Sequence, residues 1–152
     1  MRCFRAFMSL GLLLAAAPAM AEHDVFGLGN GQHGALHVQG GSTSPNIATA
    51  LTAQATAGSK TLTVADESGF AAGELVLVLQ VHADGPAPEA GVPAPIDLDT
   101  TSAGRWEFAR LEAVAPGALS LTAPLVSAFS SPGSQVVRVP EYTSVHVQNG
   151  AS

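Results

Sequence analysis

The chain has little cysteine, little positive charge and few large aromatics. Its one cysteine is Cys3. It stands ahead of the apolar run at residues 7–17, not after it where a lipid-carrying cysteine would follow, and Arg2 and Arg5 flank it. Ala19, Met20 and Ala21 then supply a small-x-small cleavage site. Basic, apolar and small residues in that order read as a signal peptide over residues 1–21, cut before Glu22. The apolar run is too short to span a bilayer, which takes roughly 20 residues, so no stable membrane insertion is expected after cleavage. The mature chain then holds no cysteine, and its stability must come from its core or from assembly rather than from disulfides.

Basic residues number 6 against 12 acidic ones. Loss of Arg2 and Arg5 takes the formal net charge from −6 to −8. Such a surface repels phosphate backbones and excludes nucleic acid as a partner. Trp106 and Tyr142 are the only tryptophan and tyrosine, a thin supply for a sugar-stacking surface. Trp106 alternates with Phe108 and is expected in the core.

Catalytic patterns are also missing. The sequence has no G-x-S-x-G, no H-E-x-x-H, no phosphate-binding Walker loop and no Cys/His cluster. We therefore expect no enzyme activity, no catalytic residue and no cofactor. His33 and His37 are four residues apart, about 13 Å along a strand at roughly 3.3 Å per residue, too far to share a metal without bending, and both are expected on the surface. Asp97 and Asp99 could lend two carboxylates to calcium, but the glycine and distal glutamate of an EF-hand loop are absent. They are the only weak metal candidates, and no metal site is assigned. Glu107 and Arg110 point to opposite faces of their strand, each with an ion partner to find elsewhere.

What is present reads as β structure. Residues 58–82 organise the chain. Leu62 and Val64 alternate with Thr61 and Thr63, the period-2 pattern of a half-buried strand. Turn formers follow at residues 65–69, then Phe70 as a core plug and Gly73 at a second turn. Residues 75–79 are continuously apolar, which suits a strand covered on both faces. Residues 119–121, Phe129, Gly133 and residues 136–139 repeat the plan. The pattern predicts two related strand-turn-strand units in a small all-β barrel or sandwich, with residues 105–114 as a bridging strand. Leu62, Val64, Phe70, Leu75, Leu77, Val78, Phe108, Leu111, Leu121, Val137 and Val139 form the expected core.

The remainder divides around that module, residues 58–141. Residues 22–57 are glycine-rich, with a short strand at 35–39 and a loop or weak strand after it. The glycines of residues 26–34 have no strand before them and no helix after them, so they are not a nucleotide loop. Residues 83–104 form a long Pro/Asp-rich loop, expected to be irregular, dispensable for folding and the feature that faces a partner. Residues 142–152 alternate as a terminal strand, and Asn149 and Gly150 signal a turn. That strand lacks a visible neighbour, so a longer β-rich continuation or a separate chain is expected to pair with it.

Residues 69–80, the loop at 93–98, the strand at 104–110 and the segment at 135–143 together resemble the N-terminal region of large secreted myxobacterial surface proteins of the adventurous gliding motility (AgmC-like) group. The tryptophan-bearing strand and the Arg138-Val139-Pro140-Glu141-Tyr142-Thr143 segment carry most of the likeness. It implies an exported, non-enzymatic structural or interaction module at the cell surface, whose partner is an unknown protein or surface polymer. An accessory, non-catalytic domain of a secreted carbohydrate-active enzyme is the alternative.

Overall fold

A computed structural model of the chain describes residues 29–82, 91 and 101–151. The predicted loop at 83–104 falls largely outside these residues, as do Asp97, Asp99 and the N-terminal 28 residues. The described chain is all-β, as the alternation predicts. Its strands are β1 (Ala35–Val38), β2 (Ala48–Ala50), β3 (Thr61–Thr63), β4 (Leu75–Gln80), β5 (Trp106–Ala115), β6 (Ala118–Leu121), β7 (Ser134–Val139) and β8 (Ser144–Val147).

Six strands form one antiparallel sheet in the order β2-β7-β4-β5-β6-β3. The sheet curls until its two edges meet. Leu51 bridges Val64, the Thr52 N–H donates to the Thr63 carbonyl at 2.9 Å, and the Ala65 N–H donates to the Ala50 carbonyl at 3.0 Å. This single seam holds the curled sheet as a small, partly closed barrel and covers part of its two edge strands. Pro116 and Gly117 make the two-residue turn from β5 to β6, Gly117 taking the positive φ of 68° that the second position of a type II turn needs.

The internal repeat is real, and it runs further than the sequence suggested. Thr49 pairs with Val136, and Ala109 pairs with Val76. Adding 60 to Thr49 and Val76 gives Ala109 and Val136, so the two pairs are copies of one another. Ala48 with Val137 and Phe108 with Leu77 obey the same rule, as do Ala50 with Gln135 and Arg110 with Leu75. The Leu51 N–H donates to the Ser134 carbonyl, and its copy is Leu111 to Glu74. Strands β2-β3-β4 and β5-β6-β7 are therefore two copies related by a pseudo-two-fold axis, β3 lying on β6 and β4 on β7. Strand β5 does bridge the units, pairing with β4 of the first and β6 of the second. It opens the second unit, as β2 opens the first, and the module accordingly begins before residue 58.

The barrel interior holds Leu51, Leu62, Val64, Val76, Val78, Leu111, Leu119, Leu121, Leu125, Phe129 and Val136, with Phe70 closing one side. Phe70 and Phe129 are the matching plugs of the two units. Gly69 takes a φ of 81° that favours glycine, and an added Cβ would also displace the tip of Ile47, whose Cδ1 it would approach to 2.7 Å. Five expected core residues are only half-buried: Leu75, Leu77, Phe108, Val137 and Val139. Strand β4 is apolar on both faces, yet only Val76, Val78 and Gln80 point inward. Its register against β7 then turns Val136 in and Val137 out, because successive strand residues face opposite sides.

The terminal strand does have a neighbour. β8 pairs in parallel with β1, from Ala35 with Ser144 to Val38 with Val147. Asn149 and Gly150 lie in a turn closed by the Ala151 N–H on the Gln148 carbonyl, and Ala151 bridges Gly41, again in parallel.

Candidate interaction surface

Two groups of side chains stand out beyond the core. One is a polar knot where both ends of the described chain meet the barrel. The other is an apolar strip on the outer face of β7, β4 and β5.

The knot centres on Glu141, which is buried. Its carboxylate accepts from Arg110 Nη1 at 3.0 Å, from the Asn30 N–H at 3.0 Å and from Gln32 Nε2 at 2.9 Å. Burial pushes the Glu141 carboxyl up, but the Arg110 hydrogen bond, the Asn30 N–H and the Arg110 charge outweigh it and hold it below the usual carboxylate range. The glycine-rich stretch cradles this side chain closely: a Cβ on Gly29 would lie 3.1 Å from Glu141 Cβ. His33 completes the attachment. The Glu141 N–H donates to His33 Nδ1 at 2.9 Å, so the ring carries its proton on Nε2 and donates it to Glu74 Oε1 at 3.1 Å. Arg138 Nη1 lies 3.6 Å from Glu74 Oε1 and also donates to the Gly69 carbonyl.

His33 is therefore not the surface histidine that its sequence suggests. It is largely covered, and both ring nitrogens are occupied. Arg110 finds its ion partner in Glu141, as expected. Glu107 instead accepts the Val126 and Ser127 N–H groups at 2.8 and 3.0 Å. With two arginines against two carboxylates, the knot ties both ends of the described chain to the barrel. Sequence reasoning missed it because Asn30 and Glu141 are far apart in the chain. The one signal was the Arg138-to-Thr143 segment, noted for its distinctive residues and not for its contacts.

At the opposite end of β4, the buried Gln80 amide donates to Ser102 Oγ at 2.6 Å and to Ser130 Oγ at 2.7 Å. The Gly104 N–H donates to the Gln80 carbonyl at 2.8 Å. The last residues of the segment expected to be dispensable are thus paired with a core strand, and removing them would take one acceptor from the Gln80 side chain and the Gly104 N–H from its carbonyl.

The outer strip has two rows. Ala48, Val137, Leu77 and Phe108 lie side by side across four strands, and Gln135, Leu79 and Trp106 form the next row. Trp106 is 54% exposed, against the expectation that it is core. Its ring meets Phe108 edge-on, with centroids 5.5 Å apart, a favourable aromatic geometry that fixes the indole without covering it. Ala109 and Leu111, the other face of β5, are buried. The alternation was legible, but it does not say which face is which. Here the repeat is informative: Phe108 corresponds to Ala48 in the first unit, and Trp106 to Asn46. One copy has aromatic rings at a place where the other closes the same barrel without them.

Among the described residues no group of three or more His, Cys, Asp or Glu side chains is arranged to hold a metal ion, and no helix is long and apolar enough to cross a membrane.

No family model matches the chain, and no curated protein does. Three solved structures, all phage tailspikes, are similar to it. The gp54 tailspike of Acinetobacter baumannii bacteriophage AP22, solved with A. baumannii capsular saccharide, is 14% identical, with a TM-score of 0.46 over 75% of this chain and 18% of that one. The gp61 tailspike of Pseudomonas phage phi297 is 17% identical, with a TM-score of 0.47 over 70% and 16%. The gp49 tailspike of Pseudomonas phage LKA1 is 16% identical, with a TM-score of 0.44 over 70% and 20%. The chain spans a fifth or less of each of these proteins.

Proposed function

We propose that the chain is an exported, non-enzymatic interaction module of a bacterial cell-surface protein, and that the strip around Trp106 contacts a surface polymer. The observation that carries this reading is the exposed indole. The barrel closes in its first unit with Asn46 and Ala48 at the equivalent places, so the rings of the second unit are not needed for folding. An indole combines an apolar face with an N–H donor, which suits contact with a partner that is itself part apolar and part hydroxylated. The Glu141 carboxylate and both His33 nitrogens are engaged in tying the chain together, which supports a binding role over a catalytic one. The basic-apolar-small order at the N-terminus supports export. Membership of the myxobacterial gliding motility group is a finer proposal, resting on the resemblance of residues 69–80, 104–110 and 135–143.

Trp106 is the only tryptophan, so intrinsic fluorescence reports on this site alone. Titration with solubilised envelope polysaccharide should shift its emission to the blue, and Trp106→Ala should weaken binding at least tenfold. Binding undiminished in Trp106→Ala would overturn the assignment of the surface. The same exposed ring favours one second reading, an accessory domain of a secreted carbohydrate-active enzyme. Preference for a soluble enzyme substrate such as a plant or storage polysaccharide, over envelope material, would select that reading.

A further inference from the structure

We propose that His37 and His146 form a two-imidazole site for a divalent transition-metal ion of the Cu2+, Ni2+ and Zn2+ class, and that the ion staples β1 to β8. The two residues are directly in register on neighbouring parallel strands. Their rings stack with centroids 4.9 Å apart and planes 7° from parallel. Both side chains are exposed, so an ion can reach them from solvent. Imidazole nitrogen binds these metals at about 2.0–2.1 Å, so one ion spans at most about 4.2 Å between two nitrogens. Imidazole lone pairs lie in the ring plane, so the stacked rings do not aim at one point; both exposed side chains must turn out of the stack about their χ1 and χ2 torsions to converge on a single ion.

The other described histidine at this end of the molecule shows the contrast. Both nitrogens of His33 are taken by Glu74 and the Glu141 N–H. The nitrogens of His37 and His146 have no hydrogen-bond partner among the described residues. Among the described residues no third side-chain ligand stands beside the pair, and water completes the coordination shell. The order of affinity then follows the metal, with Cu2+ above Ni2+ and Zn2+.

The site sits where a staple matters most. β1 and β8 form a two-stranded sheet of their own, the kind of element that is marginal in water. An ion that binds only the paired strands stabilises them by mass action, and does so between segments from opposite ends of the chain.

The test uses the exported chain with CuCl2, NiCl2 and ZnCl2 as probes, read by calorimetry and by amide hydrogen exchange. Cu2+ should bind in a 1:1 ratio. It should slow exchange of the β1 and β8 amides at least tenfold and leave β4 amides unchanged. His37→Gln and His146→Gln, both exposed substitutions, should each weaken binding at least tenfold and abolish the slowing. Absence of binding overturns the proposal. Binding equally strong in both variants, or binding that leaves exchange in β1 and β8 unaltered, overturns it as well.

Discussion

Glu141 and Phe129 show two ways in which single residues hold this protein together. Glu141 has its carboxyl held below the ordinary range. A carboxylate with a depressed folded-state value stabilises the fold above its unfolded value, near 4.3, and that contribution is lost as pH falls through the folded value. Acidification below about pH 4.3 should therefore loosen the knot. Glu141→Gln should lower the melting temperature at pH 7 and flatten its dependence on pH across the acid range. A melting profile as steep in Glu141→Gln as in the wild type would place the acid sensitivity elsewhere. Phe129 acts by volume. It is fully buried, and Phe129→Ala should cost about 3–5 kcal/mol in denaturant unfolding. Phe70, its counterpart at 8% exposure, should fall in the lower part of that range. The sequence marked both rings through the repeated order of strand, turn, aromatic and glycine. It could not mark the knot, because hydrogen bonds between residues 30–33 and 141 have no local periodicity.

Strand β5 shows what an element's sequence carries and what it withholds. The alternation of Trp106 and Phe108 against Ala109 and Leu111 fixes two faces, and the structure keeps both sets together. Which face turns inward depends on the register with β4, where Val76 and Val78 point into the barrel opposite Ala109 and Glu107. Since both faces of β4 are apolar, composition does not distinguish its two possible registers, and a one-residue slip exchanges inside and outside. The same ambiguity put Val137 rather than Val136 in the expected core. Strand β2 was harder still, because Ala48, Thr49 and Ala50 carry almost no hydrophobic signal and owe their strand to β7. The two faces of β5 make opposite predictions. Leu111→Ala should destabilise by about 2–5 kcal/mol, whereas Trp106→Ala should change unfolding stability by no more than about 0.5 kcal/mol. A large loss of stability in Trp106→Ala would make the indole a structural residue and remove the basis for a binding surface.

At the scale of the whole molecule, the barrel and the β1–β8 ribbon are built on different terms. The barrel is two copies of one three-strand unit, each completing the other's sheet, so neither half has a closed core alone. Its seam is the Leu51–Val64 bridge, and Leu51 is almost fully buried. The ribbon is parallel and two-stranded, and Val145 and Val147 in it are each 56% exposed. It is held to the barrel through the knot around Glu141 and His33. Cooperative units of this kind separate in native-state hydrogen exchange, where the less buried unit opens first. The amides of β4 and β7 should exchange only through global unfolding, with a common dependence on denaturant. Those of β1 and β8 should exchange faster, through a local opening that Glu141→Gln accelerates and that leaves β4 protected. Leu51→Ala should do the reverse, lowering the protection of β4 and β7 together by about 2–5 kcal/mol. If β1 and β8 prove as protected as β4, and lose protection in step with it, the ribbon belongs to the barrel's cooperative unit and does not open separately.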